Sequence, residues 1–373
     1  MRTKTSVMYV TTSLNYPIHR KRLASFILEG GDFHAIGFDQ KTFEIISSEH
    51  SGATDNVTVL GQIEPGNYMN RACLLFKNII SFRKHAKKSD VVYASGFDAA
   101  ALMLIATIGL RKKLVYEIHD IRQQMLNKNV IGSLFRLFEK YLVNRTDLLI
   151  VTSESYLENY YYKLLNASVK RSYKLENKLW PQDVCTDDIG HPPISPLVIG
   201  YFGLIRCNVT WNFLVNLVKS SRGSILLKVR GVAQRSITSF ERDIEDVPWI
   251  EYGGPYNNPK DVFDMCRAVS MVWVAGYQQK DSYKWSRTCR FYQACCYGRP
   301  LIAQQGTYEC ETVSGLDIGV GIDLQQQDIA SEQIKSITDR DIKKWYRNII
   351  RLPASTYTYT NESTEILDMI ENI

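Results

Sequence analysis

The stretch SRTCRFYQACCYGRPLIAQQG, Ser286 to Gly306, concentrates side chains capable of chemistry. Cys295 and Cys296 are adjacent, with Arg290 and Gln293 less than two helical turns before them. The paired thiols pose a metal or redox site. The surrounding pattern poses a helix that feeds a buried strand, with the chemistry left to its polar neighbours. Thiol redox and zinc chemistry favour a Cys-x-x-Cys pair. The chain's eight cysteines stand at 73, 185, 207, 266, 289, 295, 296 and 310, and no two have that spacing. Successive helical residues point about 100° apart, so Cys295 and Cys296 cannot share a face. They read as reduced packing groups, and the weight moves to Arg290 and Gln293.

The scaffold for those residues is written in short apolar runs that alternate with helical patterns, the mark of α/β units and parallel sheets. SVMYVTT (6–12), FHAIGFD (33–39), DVVYAS (90–95), KLVYEIHD (113–120) and DLLIVTS (147–153) read as the strands of a first series. HRKRLASFILEGG (19–31) reads as an amphipathic helix between the first two. PLVIGYFG (196–203), SILLKVRG (224–231), WIEYGG (249–254), MVWVAG (271–276) and PLIAQQG (300–306) form a second series. Between them, Glu176 to Ser195 carries prolines and acids without periodicity and reads as an interdomain linker. With 373 residues, two domains are expected. They fall at 1–180 and 190–350, with a helical tail at 351–373 packing back on the first. The fold class is α/β, two Rossmann-like domains facing a cleft, and ligands in such sheets sit beyond the carboxyl ends of the strands. Neither opening strand is followed by G-x-G-x-x-G, which weighs against a dinucleotide dehydrogenase.

Bulk properties narrow the class further. A hydrophobic share of 45% with 23% charged residues belongs to a folded chain, not a disordered one. A net charge of +6 permits a basic face for phosphate or anionic lipid and does not point to nucleic acid. The N-terminus lacks the apolar core of a secretory signal, and AAALMLIATIGL (99–110) is too short to span a bilayer. Together with the scattered thiols, these features point to the cytosol.

The segment from 286 to 321 resembles the donor-binding core of GT-B-fold glycosyltransferases, specifically the glycosyltransferase family 4 group. Those proteins run from a basic residue through Glu-Tyr-Met-Ala to Gly-Lys/Arg-Pro-Val-Ile-Ala, then a Glu eight residues later. Here Arg290, Gln293, Gly298-Arg299-Pro300-Leu301-Ile302-Ala303 and Glu311 occupy those places. KLVYEIHD resembles the family's Val-Tyr-Asp-x-His-Glu, DVVYASGFD its Asp-Val-Val-His-Ala-His-Asp, and IGYFGLIR the strand and glycine turn that open its second domain. The likeness runs from about residue 6 to 323.

This resemblance implies a transferase that moves a sugar from a nucleotide-sugar donor to a saccharide acceptor, including lipid-linked ones, in surface polysaccharide biosynthesis. The group retains anomeric configuration and uses neither a metal nor another cofactor; whether the co-substrate is a UDP-, GDP- or dTDP-sugar stays open. A departing diphosphate must then be met by N–H groups, a helix N-terminus and cations. Ser286, Arg287 and Thr288 are expected at the cap and first turn of the helix. Arg290, and Arg206 just after the turn at Gly203, are the expected diphosphate contacts. Gln293 stands where the family's ribose-binding glutamate does, and an amide oxygen can still accept from a hydroxyl. Trp285 occupies a second frequent glutamate position. Glu311 either binds the nucleotide sugar or serves as a plain N-terminal helix acid.

In the first domain, His119 matches the histidine that approaches the donor sugar. Glu117 and Asp120 beside it are expected to raise its pKa. Asp98 either orients the acceptor or caps the following helix. MNRACLLFKNIISFRKHAKK (69–88) is strongly basic and amphipathic, and either rests on an anionic membrane at the inner face of the cell or packs on its sheet with its basic edge in water. IGSLFRLFEKYLVNR (131–145) reads as a helix packed on its sheet with its basic edge in water, and LENYYYKLL (157–165) either stacks on sugars or packs on its sheet. A non-catalytic saccharide or nucleotide binder, which Gln293 and Trp285 favour, and a sugar-nucleotide epimerase are the competing readings.

Overall fold

A computed structural model describes residues 4–40, 56–64, 68–276 and 281–373. The chain divides into two compact units, Met1–Glu176 with Asn361–Ile373, and Asn177–Thr360. The first is built on seven parallel strands: β1 (Ser6–Thr11), β2 (Asp32–Gln40), β3 (Val57–Ile63), β4 (Val91–Ser95), β5 (Lys113–Ile118), β6 (Leu148–Val151) and β7 (Ser172–Lys174). Their order is β3-β2-β1-β4-β5-β6-β7. Strand order reverses between β1 and β4, so the carboxyl ends of these two strands and of β5 frame the place where such sheets bind ligands. β4 and β6 are buried along their whole lengths, as strands covered on both faces must be.

The second unit has six parallel strands: β8 (Leu197–Ile205), β9 (Ile225–Ala233), β10 (Ile250–Tyr252), β11 (Met271–Trp273), β12 (Leu301–Gln304) and β13 (Gly319–Ile322). They lie in the order β10-β9-β8-β11-β12-β13. Alternate residues of β8 feed two cores. Ile199 and Tyr201 join Trp211 and Leu214 of the helix Asn208–Ser221 on one face. Val198 and Phe202 join Phe291 and Cys295 of the helix Cys289–Cys296 on the other. Cys295 is therefore core, and burial pushes the Cys296 thiol up to about 12, so both remain protonated packing groups.

Three strands are absent from the sequence reading. β13 is GVGI, whose glycines depress strand propensity; β7 has only three residues; β3 alternates weakly. The stretch read as a linker belongs to the second unit. Leu179 exchanges backbone bonds with Tyr357 and Tyr359 at 2.8 and 2.9 Å. Buried Arg299 donates to the carbonyls of Cys266, Ile189 and Gly190 at 2.7, 3.2 and 3.2 Å. The arginine of GRPLIA is thus an internal clamp that ties that stretch down. The helix Glu362–Glu371 joins the first unit through Ser363 to Ser25 (3.0 Å) and Tyr173 to Glu365 (2.6 Å).

The basic stretch at 69–88 forms two helices, Tyr68–Lys77 and Ile79–Lys88. The helix Val130–Arg145 corrects the expectation of a single buried apolar face with a polar face outward. It buries Glu139, Leu142 and Val143, yet Val130, Leu134 and Leu137 remain 76%, 61% and 65% exposed. Of the tyrosines in 157–165, Tyr160 and Tyr161 are buried and pack rather than face a ligand.

Candidate functional site

In the first unit the strand ends gather a polar cluster. Glu117, the fifth residue of β5, is fully buried and accepts from the Tyr93 hydroxyl at 2.8 Å. The guanidinium of Arg22, also buried, stands 3.4 Å from it. His119 follows two residues later, so both side chains emerge on one side of the sheet. Its Nδ1 lies 3.8 Å from Glu117 and its Nε2 2.8 Å from Ser95 Oγ at the end of β4. A second histidine that the sequence reading passed over, His19, lies edge-on to it at 5.2 Å and contacts the Tyr9 hydroxyl through Nδ1 at 2.9 Å.

The charge state of His119 differs from expectation. Burial lowers its pKa, and the opposing pull of Glu117 is the weaker effect. Asp120 accepts from the Tyr156 hydroxyl at 3.1 Å. Burial thus favours the neutral imidazole at His119. Asp98 lies in the first turn of the helix Phe97–Ala106 and is bridged by Arg71 at 2.5 Å and Arg122 at 2.8 Å. Arg71 also donates to Thr12 Oγ1 at 2.6 Å, beyond the end of β1. Ser95, Asp98 and His119 thus all lie at or just beyond the carboxyl ends of β4 and β5.

The second unit's cluster forms where β8 ends. Gly203 adopts φ +100° and its neighbour across the ladder, Gly231, φ +138°, both in glycine territory. The strand runs on through Gly203 to Ile205, so the expected turn at Gly203 is absent; a Cβ on Gly231 would lie 1.8 Å from the Gly203 carbonyl oxygen, so this strand pair requires bare backbone. Arg290, in the first turn of the helix Cys289–Cys296, donates to the carbonyl of Phe202 at 3.2 Å and lies over the Tyr201 ring. That bond docks the start of the helix against β8 beside Gly203. Arg206 stacks on Tyr283 at 4.8 Å. Gly203 and Arg290 are therefore brought together, with Arg206 three residues on.

The residue that organises this corner is one the sequence reading missed. Glu309 is buried in the first turn of the helix Tyr308–Gly315 and accepts from both the Thr288 N–H (2.9 Å) and its hydroxyl (2.8 Å). Burial raises its pKa to about 7, against the opposing pull of the Thr288 bonds and of Arg290 and Arg287. Thr288 is the N-cap of the helix, but its hydroxyl is turned to Glu309 and makes no cap bond of its own. Glu311, two residues on, is exposed. Gln293 is only 3% exposed, in the middle of the helix. Arg287 donates to Tyr308 Oη and Thr312 Oγ1, both at 3.0 Å, and ties the two helices together. Chemically, the corner offers a helix N-terminus, bare backbone at two paired strand glycines and cations, elements that can hold an oxyanion.

No protein-family model matches the chain. The succinoglycan biosynthesis protein ExoL of Rhizobium meliloti (strain 1021) is 26% identical over 341 residues, 87% of this chain and 82% of that protein. Among solved structures, Anabaena Alr3699/HepE in complex with UDP and glucose matches with a TM-score of 0.71 at 14% identity, over 99% of this chain and 100% of that one. WaaG, a glycosyltransferase involved in lipopolysaccharide biosynthesis, matches with a TM-score of 0.65 at 13% identity, over 98% and 99%. The shared feature at these identities is the fold, two parallel α/β sheets in one chain.

Proposed function

We propose that this chain, which has the GT-B fold, is a glycosyltransferase that moves a sugar from a nucleotide-sugar donor to a saccharide acceptor in surface polysaccharide biosynthesis. The observation that carries the reading is Arg290 bonded to Phe202. It sets a cation and a helix N-terminus against the carboxyl-terminal part of β8 beside Gly203, where a diphosphate would be met. Similarity to a succinoglycan biosynthesis protein supports the pathway class. Because HepE was solved with UDP and glucose, a UDP-sugar is the first donor to test.

In this reading Arg206, Arg290 and the N–H groups after Thr288 hold the diphosphate, with Gly203 giving close backbone approach. Gln293 and Glu311 serve the nucleoside and sugar. His119 and Asp98 serve the reacting sugar and the acceptor. The bond from the anomeric carbon to the diphosphate oxygen breaks as the acceptor hydroxyl attacks the same face. The hydroxyl's proton passes to the departing diphosphate, so configuration is retained and no metal is required. A neutral His119 donates or accepts a hydrogen bond without adding charge beside the developing oxocarbenium centre. The acceptor is lipid-linked, and the chain works at the cytoplasmic face of a membrane, with the basic stretch 69–88 toward anionic lipid.

A thermal-shift and turnover panel of UDP-, GDP- and dTDP-sugars tests the reading. A raised melting point with one nucleotide class, and transfer that needs a saccharide acceptor, support it. Binding without turnover on any acceptor turns the chain into a binder, and product formed without acceptor turns it into an epimerase.

A further inference from the structure

Threonine precedes helices of the second unit at 288, 307 and 338, and the three are not handled alike. Thr307 and Thr338 cap the helices Tyr308–Gly315 and Asp339–Ile349 in the ordinary way. Their hydroxyls accept from the N–H groups of Cys310 at 3.1 Å and Asp341 at 3.4 Å. Thr288 holds the same position before the helix Cys289–Cys296, yet its side chain caps nothing. Its hydroxyl donates to Glu309 Oε1 at 2.8 Å, and its N–H donates to the same oxygen at 2.9 Å. One buried carboxyl, 5% exposed, thus takes both donors of the cap residue.

The consequence falls on the first turn of that helix. A cap hydroxyl ordinarily satisfies the N–H of the second or third helical residue, here Arg290 or Phe291. The Phe291 N–H turns instead to the Thr288 carbonyl at 3.0 Å. The Arg290 N–H is left without a side-chain cap. Cys289, the first residue of the turn, is exposed, so the partial positive charge of the helix start is open to an anion. Arg287 does not close it, since its guanidinium is drawn back onto Tyr308 Oη and Thr312 Oγ1. Burying a carboxyl and giving up a helix cap both cost stability. Two such departures at one helix start point to a use other than packing.

We infer that Glu309 is a positioning residue for the diphosphate of the donor: by drawing the Thr288 side chain off the cap, it keeps the Arg290 N–H and the start of the helix open to phosphate oxygens. The inference rests on the transferase reading for the ligand and goes beyond it in naming the group that prepares the site. Glu309 acts through Thr288 and not on the phosphate. Its burial, which raises its pKa to about 7 against the pull of Thr288, Arg290 and Arg287, also lessens the repulsion that a full carboxylate charge at this corner would exert.

Isothermal titration of the full chain with UDP, GDP, dTDP and inorganic pyrophosphate tests it, on the parent and three variants checked for folding by circular dichroism. Glu309→Met keeps the side-chain volume and removes the acceptor, so the Thr288 hydroxyl returns to the cap. Affinity for the diphosphate is then expected to fall about fivefold, the weight of one cap bond. Glu309→Gln, whose amide oxygen accepts the same two bonds, is expected to stay within about twofold of the parent. Glu309→Met/Thr288→Val cannot cap, and is expected to recover the affinity that Glu309→Met loses although it lacks one more polar group. A purely structural role gives the opposite order, with the double variant no better than the single one. Equal binding by Glu309→Met and the parent, or a double variant as weak as Glu309→Met, overturns the inference and leaves the transferase reading standing. The expected pattern of binding without transfer to any acceptor supports the inference and strikes the transferase reading alone. Failure of the parent to bind any of the four probes overturns both.

Discussion

The polar clusters of the two units stand at equivalent ends of their sheets and handle charge differently. In the first, charges meet their opposites: Glu117 faces Arg22, and Asp98 is bridged by Arg71 and Arg122. In the second, Arg290 and Arg206 rest on aromatic faces and a backbone carbonyl. Among the described residues no carboxylate forms an ion pair with either. A neutralised cluster offers hydrogen-bonding groups in fixed directions, which suits uncharged hydroxyls. A cluster with cations left over projects a field, which suits phosphate oxygens. One fold plan thus carries two kinds of polar cluster, separated by where each arginine finds its partner.

The comparison breaks most directly at Arg22. Arg22→Ala leaves Glu117 buried without its cation and is expected to cost about 3–5 kcal/mol in urea unfolding. An exposed arginine would cost almost nothing, so a small effect would mean that the first cluster is not internally balanced. The next largest effect is in pH. Burial raises Glu139 from 4.5 to about 7 in the first unit and Glu309 likewise in the second. Each folded unit therefore holds a proton that the unfolded chain releases. The stabilising contribution of each group is full below pH 4.5 and is lost as pH rises through about 7, by about 3 kcal/mol per group. Burial lowers the pKa of His19 and His119, which contribute with the opposite sign in this window, so the check is by difference: between pH 5 and pH 7.5, Glu139→Gln and Glu309→Gln should each lose about 3 kcal/mol less stability than the parent chain.

Arg290→Ala is expected to lower kcat/KM about a hundredfold with little change in melting temperature, the reverse of the Arg22 result. Arg290→Lys should recover only part of the loss, because an ammonium lacks the forked geometry. The smallest effect sharpens the role of Glu309. Thr288→Val removes one hydroxyl bond to it and is expected to cost about 1 kcal/mol of stability, while the N–H bond to Glu309 remains.

The strands of both sheets that are long and apolar were legible, because burial on two faces writes itself as unbroken hydrophobic runs. The turn expected at Gly203 was not, because the strand continues through it to Ile205. Glu309 was not. Spacing pointed to Glu311, and only packing of the helix Tyr308–Gly315 turns the earlier carboxylate onto Thr288. Glu139 hid for a similar reason. Its partners Tyr116, Tyr160 and Tyr161, at 3.3, 2.9 and 3.0 Å, come from a strand and a helix more than twenty residues away in each case. The exposure of Val130, Leu134 and Leu137 hid because an apolar residue in a helix gives no sign of which side of that helix its neighbours will cover.

The chain leaves the first unit at Glu176 and returns to it at Asn361, and that return has a consequence for the order of events during synthesis. The second unit is an insertion in the first. Every residue of it has been polymerised before the helix Glu362–Glu371 exists to meet Ser25 and Tyr173. A ribosome halted at Thr360 would hold a nascent chain whose later half is complete and whose earlier half still waits for its final helix.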